Sequence, residues 1–276
     1  MPADGRSMRV ALIHEVFFDD PGGASLRDHL RQAHEAGADV AVLPELPLNE
    51  WSPWSKVARD EDAEPVGGPR QQRMAEAAEA VGIALVGGAI VVDSESGERH
   101  NTAVVYASDG SELARYRKIH LPEEEGYWET SHYVPGSTAP EAFDGLALRA
   151  GLQICSDVNR PQGFQLLAAQ GAAVVFAPRA TPPGTWERWR VVLRANAAMS
   201  GAYLLSANRP RPEHGASIGG PSIAIAPSGE VIAESEDPIT VVELTQAAVA
   251  EAADEYPGYL DRFPRLYADA WERLSD

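Results

Sequence analysis

Cysteine is almost absent from this chain: 276 residues hold a single thiol, Cys155. One cysteine excludes an internal disulfide framework and any cysteine-rich zinc or iron–sulfur site, and such sparing use fits a reducing compartment. Basic residues are also scarce, with 23 Lys and Arg against 41 Asp and Glu and a formal net charge of −18. No basic run exists to neutralise phosphates, which argues against nucleic-acid or anionic-membrane partners and leaves the acidity as a solvated surface. Long apolar runs are missing too. No segment approaches the roughly 20 apolar residues of a membrane span, and "MPADGRSMRVALIHEVFF" has no stretch long enough for a signal peptide. The expectation is a cytoplasmic protein. The Gly pairs at 22–23, 67–68, 87–88 and 219–220 spell neither G-x-G-x-x-G nor a P-loop, so a nucleotide site is unsupported. His29 and His34 lie five residues apart on one expected helix, off a common face, and no H-E-x-x-H pattern accompanies them. No metal site is expected.

What is present reads as α/β. "MRVALIHEVF" is a strand, followed by the helix "SLRDHLRQAHEAG", with Ser25 as N-cap and Gly37 as stop, and the strand "ADVAVLPE". A Pro/Trp-rich loop precedes the helix "PRQQRMAEAAEAVG", with Pro69 near its start and Gly82 near its end. After "IALVGGAIVV", the segment "NTAVVYASDGSELARYRK" reads as a hairpin around an Asp-Gly turn. The second half repeats the grammar: strand "LALRAGLQIC", helix "PQGFQLLAAQG", strand "AAVVFAP", helix "TWERWRVVLRANAAMSG", strand "AYLLSAN" and hairpin "SIAIAPSGEVIAES". No composition break divides residues 1–276, so one domain is expected, with two sheets packed together and helices outside. The tail, residues 256–276, is aromatic and broken by proline; it is expected to dock on the body or on a second subunit.

Three strand ends carry chemistry. Glu45 ends "VAVLPE", Lys118 ends "ARYRK" and Cys155 ends "GLQIC"; ligands gather at carboxyl ends of strands in such sheets. A thiol needs a base or a nearby cation to become a nucleophile, and a fixed ammonium can stabilise an oxyanion. A small buried hydrophobe is the alternative role for a lone cysteine. Pairing of His120 or His132 with Cys155 would give a Cys–His hydrolase, but the local signatures of that class are missing.

"VLPE", "RYRKIHLP" and "ICSD", in this order, resemble the nitrilase superfamily of carbon–nitrogen hydrolases. "GYWETSHYVPG", "QGAAVVFAP" and "GGPSIAIAPSGEVIAE" extend the likeness over nearly the whole chain. The resemblance implies a four-layer α-β-β-α sandwich with two mixed sheets and a cofactor-free Glu-Lys-Cys triad. It makes Glu45 the general base, Cys155 the nucleophile that forms a thioester, and Lys118 with the Ser156 N–H the oxyanion donors. Glu129 would orient the lysine or the substrate. It also implies a homodimer or larger assembly, and the segment from Lys118 to Gly136 looks more like the amidase and carbamoylase branches than the nitrile-cleaving one.

Departures surround this set. Ser156 stands where the family usually has an aromatic residue, Arg160-Pro161-Gln162 where it has Phe-Pro-Glu, and Asn196 to Ser200 where it often reads Arg-Ala-x-Glu-Asn. Arg160 is a candidate carboxylate ligand, with a surface turn as the alternative. Tyr127, Trp128 and His132, beside Glu129, are candidates for the pocket wall, as is Thr181 at its strand end; packing is the competing role. Of Trp51 and Trp54, one is expected in the core. The functional expectation is hydrolysis of a linear amide or N-carbamoyl amine, with a true nitrilase or a degenerate ligand-binding member as alternatives.

Overall fold

A computed structural model describes residues 5–274; residues 1–4 and 275–276, the extremes of the expected domain and of its tail, lie outside the described residues. The first half supplies β1 (Ser7–Ile13), α1 (Ala24–Glu35), β2 (Val40–Val42), β3 (Ala63–Pro65), α2 (Pro69–Val81), β4 (Ala84–Val92), β5 (Arg99–Tyr106) and β6 (Glu112–Arg117). A small hairpin, β7 (Glu123–Glu124) and β8 (Tyr127–Trp128), follows. The second half supplies β9 (Ala150–Leu152), α3 (Gln162–Ala169), β10 (Val174–Phe176), α4 (Trp186–Ser200), β11 (Tyr203–Ser206), β12 (Ser222–Ile225) and β13 (Val231–Ser235). β14 (Ile239–Thr245), α5 (Gln246–Asp254) and α6 (Pro264–Glu272) complete the chain.

The strands form two mixed sheets. One runs β14-β1-β2-β4-β5-β6, with β3 beside β4, and the other runs β13-β12-β11-β10-β9. In the first, β1, β2 and β4 are parallel while β14, β5 and β6 pair antiparallel. In the second, β9, β10 and β11 are parallel and the β12–β13 hairpin is antiparallel. The two-residue periodicity of a strand sorts side chains onto two faces. Val10, Leu12, Val42 and Val86 meet Leu152, Val174, Phe176 and Leu205 in a core between the sheets. Ala11, Ile13, Leu43 and Leu85 face Leu26, Leu30, Met74 and Ala77 of α1 and α2. Val175, Leu204 and Ile225 face Phe164, Leu167, Leu193 and Ala197 of α3 and α4. This is the four-layer α-β-β-α arrangement, with the central strands of both sheets buried on both faces and β6, β13 and β14 only partly so.

Local signals account for most boundaries. Pro69 opens α2, and Gly82 ends it in the left-handed region at φ 77°. Ser25 is not the N-cap of α1: the helix begins at Ala24, and the Asp20 carboxylate accepts from the Ala24 and Leu26 amides instead. β9 stops at Leu152, so Cys155 lies not on the strand but at the start of a short 3₁₀ turn, Cys155–Asn159. The tail contains α6, which has no buried residue, and Tyr259, Phe263, Leu266 and Tyr267 are each more than half exposed. Among the described residues no helix is long and apolar enough to cross a membrane.

Candidate active site

Four side chains from four separate segments converge. Glu45 follows β2, Lys118 follows β6, Glu129 opens a 3₁₀ turn after β8, and Cys155 opens the turn after β9. The Lys118 ammonium is wholly buried and donates to Glu45 Oε1 at 2.8 Å and to Glu129 Oε1 and Oε2 at 2.6 and 2.8 Å. Asn101 Nδ2 donates to Glu45 Oε1 at 2.8 Å, while Glu45 Oε2 is buried and has no hydrogen-bond partner. The Cys155 thiol is about 5% exposed, with Sγ 3.7 Å from the Ala180 carbonyl and the Cys155 amide bonded to Pro178 O at 2.9 Å.

Electrostatics set the resting protonation. Burial pushes the Cys155 thiol well above its ordinary range, and the Glu45 charge adds to this against Lys118. These causes favour the protonated thiol at neutral pH, a form that acts as a nucleophile only when a base removes its proton. Burial alone would lower Lys118, but Glu129, Glu45 and Cys155 outweigh it and hold the ammonium well above its usual value. Glu129 is raised by burial and by Glu45, against the pull of Lys118. Lys118 carries the shared positive charge of the cluster.

Two buried charges hold this geometry. Asp157, fully buried two residues after the thiol, accepts from the amides of Ile154, Ile119 and His120, from Tyr116 Oη at 2.9 Å and from His120 Nδ1 at 2.8 Å. It thereby ties the end of β6, and so Lys118, to the cysteine turn. Arg209, also fully buried, donates to the carbonyls of Glu45, Leu46 and Asn49 and pairs with both Glu213 oxygens. Cys155 itself adopts φ 45°, a conformation uncommon for a residue with a side chain. The Pro135-Gly136 motif has a steric reason: a Cβ at Gly136 would lie 2.5 Å from the Arg117 carbonyl oxygen.

Cys155 sits in a cavity of about 270 Å³ lined by Pro122, Glu124, Tyr127, Ser156, Asn159, Ala180, Thr181, Pro182, Thr185, Arg188 and Trp189. Of the residues singled out in the sequence, Tyr127 and Thr181, the wall candidates, and Ser156, the candidate backbone donor, line it. Trp128, His132 and Arg160 do not line it. Trp128 lies under the Lys56 ammonium, 4.0 Å from its ring centroid. His132 is buried, with Nε2 donating to the Ser55 carbonyl at 2.6 Å. Arg160 is exposed and bonds the carbonyl of its own neighbour, Asn159, at 3.2 Å. Trp51 is core, with Nε1 donating to Gly126 O, and Trp54 is partly exposed against His214. Asn101, Asp157, Arg209, Glu124 and Arg188 are the residues that sequence reasoning passed over. Only Asp157 had a signal, inside the quoted "ICSD". Among the departures, Asn196 Nδ2 bonds Val158 O at 2.6 Å behind the cysteine turn, while Met199 is exposed and far less constrained.

The family model for carbon–nitrogen hydrolases matches residues 18–254. The chain belongs to the carbon–nitrogen hydrolase family. This carbon–nitrogen hydrolase is 31% identical over 251 residues to omega-amidase NIT2 of Homo sapiens, covering 87% of this chain and 88% of that protein. It is 27% identical over 291 aligned positions to N-carbamoylputrescine amidase of Solanum tuberosum, covering 97% and 96%. Its fold matches a glutamate-to-glutamine mutant of the amidase from Nesterenkonia sp. AN1 with TM-score 0.74 and 25% identity, over 95% of this chain and 99% of that one. In that structure the active-site cysteine carries a Michael adduct of acrylamide.

Proposed function

We propose that the enzyme hydrolyses a linear amide or an N-carbamoyl amine through a thioester at Cys155. The observation that carries this reading is the buried Lys118 ammonium bridging Glu45 and Glu129 beside a thiol that opens into a cavity. Glu45 takes the thiol proton as Sγ attacks the carbonyl carbon, its Oε2 being the carboxylate oxygen with no partner at rest. At rest the Lys118 donors are spent on carboxylate oxygens. Protonation of Glu45 weakens its hold on Nζ and frees a donor for the oxyanion, which the Ser156 N–H in the first turn of the 3₁₀ segment also meets. Collapse breaks the C–N bond, and the amine or ammonia leaves with the proton held by Glu45. The same carboxylate then activates water, which releases the acid and regenerates the thiol. Glu129 fixes the ammonium from the far side.

The relatives named omega-amidase and N-carbamoylputrescine amidase support the amide and carbamoyl classes. A thiol nucleophile works only while reduced, which supports the cytoplasmic placement. The exposed aromatic face of residues 256–274 supports self-association through the tail. Mass spectrometry after incubation with amides, ureides and nitriles tests the chemistry. An acyl adduct on Cys155 with amides or ureides, absent in Cys155→Ala and accompanied by ammonia, is the expected result. Turnover of nitriles with inert amides and ureides would replace the proposal with a nitrilase.

A further inference from the structure

The lining of the Cys155 cavity is almost entirely committed to the protein itself. Tyr127 Oη donates to Ser217 O, Ser156 Oγ to His120 O, and Thr185 Oγ1 to Pro182 O. Thr181 Oγ1 accepts from Arg179 and donates to Asn208 Oδ1, and Asn159 Nδ2 donates to Ser156 O. Pro122, Ala180 and Pro182 add apolar wall. What remains is the Trp189 indole and two charges of opposite sign, Glu124 and Arg188. Neither charged side chain makes a hydrogen bond or ion pair among the described residues, although ten other arginines do pair with carboxylates. They come from different elements, Glu124 from β7 and Arg188 from the first turn of α4, and do not neutralise each other.

This arrangement selects by charge. A substrate with only a negative head would meet Arg188 but also the exposed run Glu123, Glu124 and Glu125. A substrate with only a positive head would leave the guanidinium facing it unanswered. A head carrying both charges satisfies both walls, because a guanidinium pairs well with a carboxylate and a carboxylate with an ammonium.

Building on the hydrolase reading above, we propose that the substrate is an α-amino acid whose side chain ends in an amide or ureide. Arg188 holds its carboxylate, Glu124 holds its ammonium, and the terminal carbonyl carbon reaches Cys155. With an amide, the Sγ–C bond forms, the C–N bond breaks to release ammonia, and water converts the thioester to a second carboxylate. With a ureide, the carbamoyl group passes to Cys155, the side-chain amine leaves, and water releases carbon dioxide and ammonia.

Binding of a trimmed series to the Cys155→Ala protein, followed by calorimetry, tests the head-group assignment without needing turnover. Glutamine carries both charges, glutaramate lacks the ammonium, γ-aminobutyramide lacks the carboxylate and butyramide lacks both; asparagine and citrulline vary the reach and the leaving group. At least one of the three zwitterions should bind more tightly than every single-charge or neutral compound. Arg188→Gln should lower affinity for that zwitterion and for glutaramate by about five- to tenfold relative to butyramide. Glu124→Gln should do the same for the zwitterion and γ-aminobutyramide. Circular dichroism checks that both surface variants remain folded. Butyramide binding as well as every zwitterion, or a variant weakening all compounds alike, overturns the assignment. Ammonia release by the unmodified enzyme judges the hydrolase reading separately: turnover of amides without preference for zwitterions leaves that reading standing and sinks this one.

Discussion

Asp157 shows how one carboxylate fixes two parts of a site. It collects donors from both the cysteine turn and the segment after Lys118. Asp157→Asn should cost about 2–4 kcal/mol in urea unfolding, because an amide cannot accept all of those bonds and leaves buried donors unmade. Arg209→Met should cost about 3–5 kcal/mol, since it strands the buried Glu213 carboxylate and frees the three carbonyls that shape the Glu45 loop. The resting thiol yields a kinetic expectation. With its pKa held high by burial and Glu45, alkylation of Cys155 by iodoacetamide should keep accelerating as pH rises above neutrality. Glu45→Gln should slow the reaction near pH 7, where base assistance matters most; equal rates would remove Glu45 from that role. The meeting of Glu45, Lys118, Glu129 and Cys155 in one place was legible because a motif carries both residue type and position. Trp128, His132 and Arg160 lie off the cavity lining and take the alternative roles, packing for the first two and a surface turn for Arg160, because nearness in sequence to Glu129 or Cys155 says nothing of direction. In a turn successive side chains point apart, and these three point to Lys56, to Ser55 and to solvent.

Among the elements, strands and helices with strong punctuation were readable: α2 between Pro69 and Gly82, α4 ending at Gly201, and both hairpins at their Gly turns. β14 and α5 were not, because "ITVVELTQAAVAEAAD" has no turn residue to separate strand from helix. β5 carries a pH-sensitive element. His100 Nδ1 lies 3.1 Å from the Val134 carbonyl and Nε2 lies 3.3 Å from Arg117 Nη1. That pattern requires a neutral ring donating from Nδ1 and accepting at Nε2. Burial, then Arg117, accordingly lower its pKa below the ordinary 6.5. The unfolded chain binds this proton more readily than the folded one. The contribution of His100 to stability is therefore complete above pH 6.5 and is lost as pH falls below it. Thermal melts from pH 7.5 to 5 should show the native protein losing more stability over this interval than His100→Gln; parallel curves would refute the assignment.

For the whole molecule, repetition of the β-α-β grammar made the layered architecture legible, whereas the pairing between distant segments had no local signal. The tail presents Tyr256, Tyr259, Phe263 and Leu266 to solvent, each more than half exposed. An apolar face of this kind on a chain with net charge −18 needs cover. Light scattering should give a dimer or larger, and deletion of residues 256–276 should shift the mass towards the monomer; a monomeric full chain would refute self-association. The same long-range pairing governs the order of assembly. β14 completes the edge of β1, with Ser7 opposite Thr245 and Ile13 opposite Ile239. During synthesis the outer rim of β1 must wait for β14, the last of the described strands, so nascent chains expose an open template for strand addition. A ribosome-stalled chain ending before residue 239 should be captured by chaperones and cleaved by proteases, while release of some few dozen further residues closes the rim and ends that vulnerability.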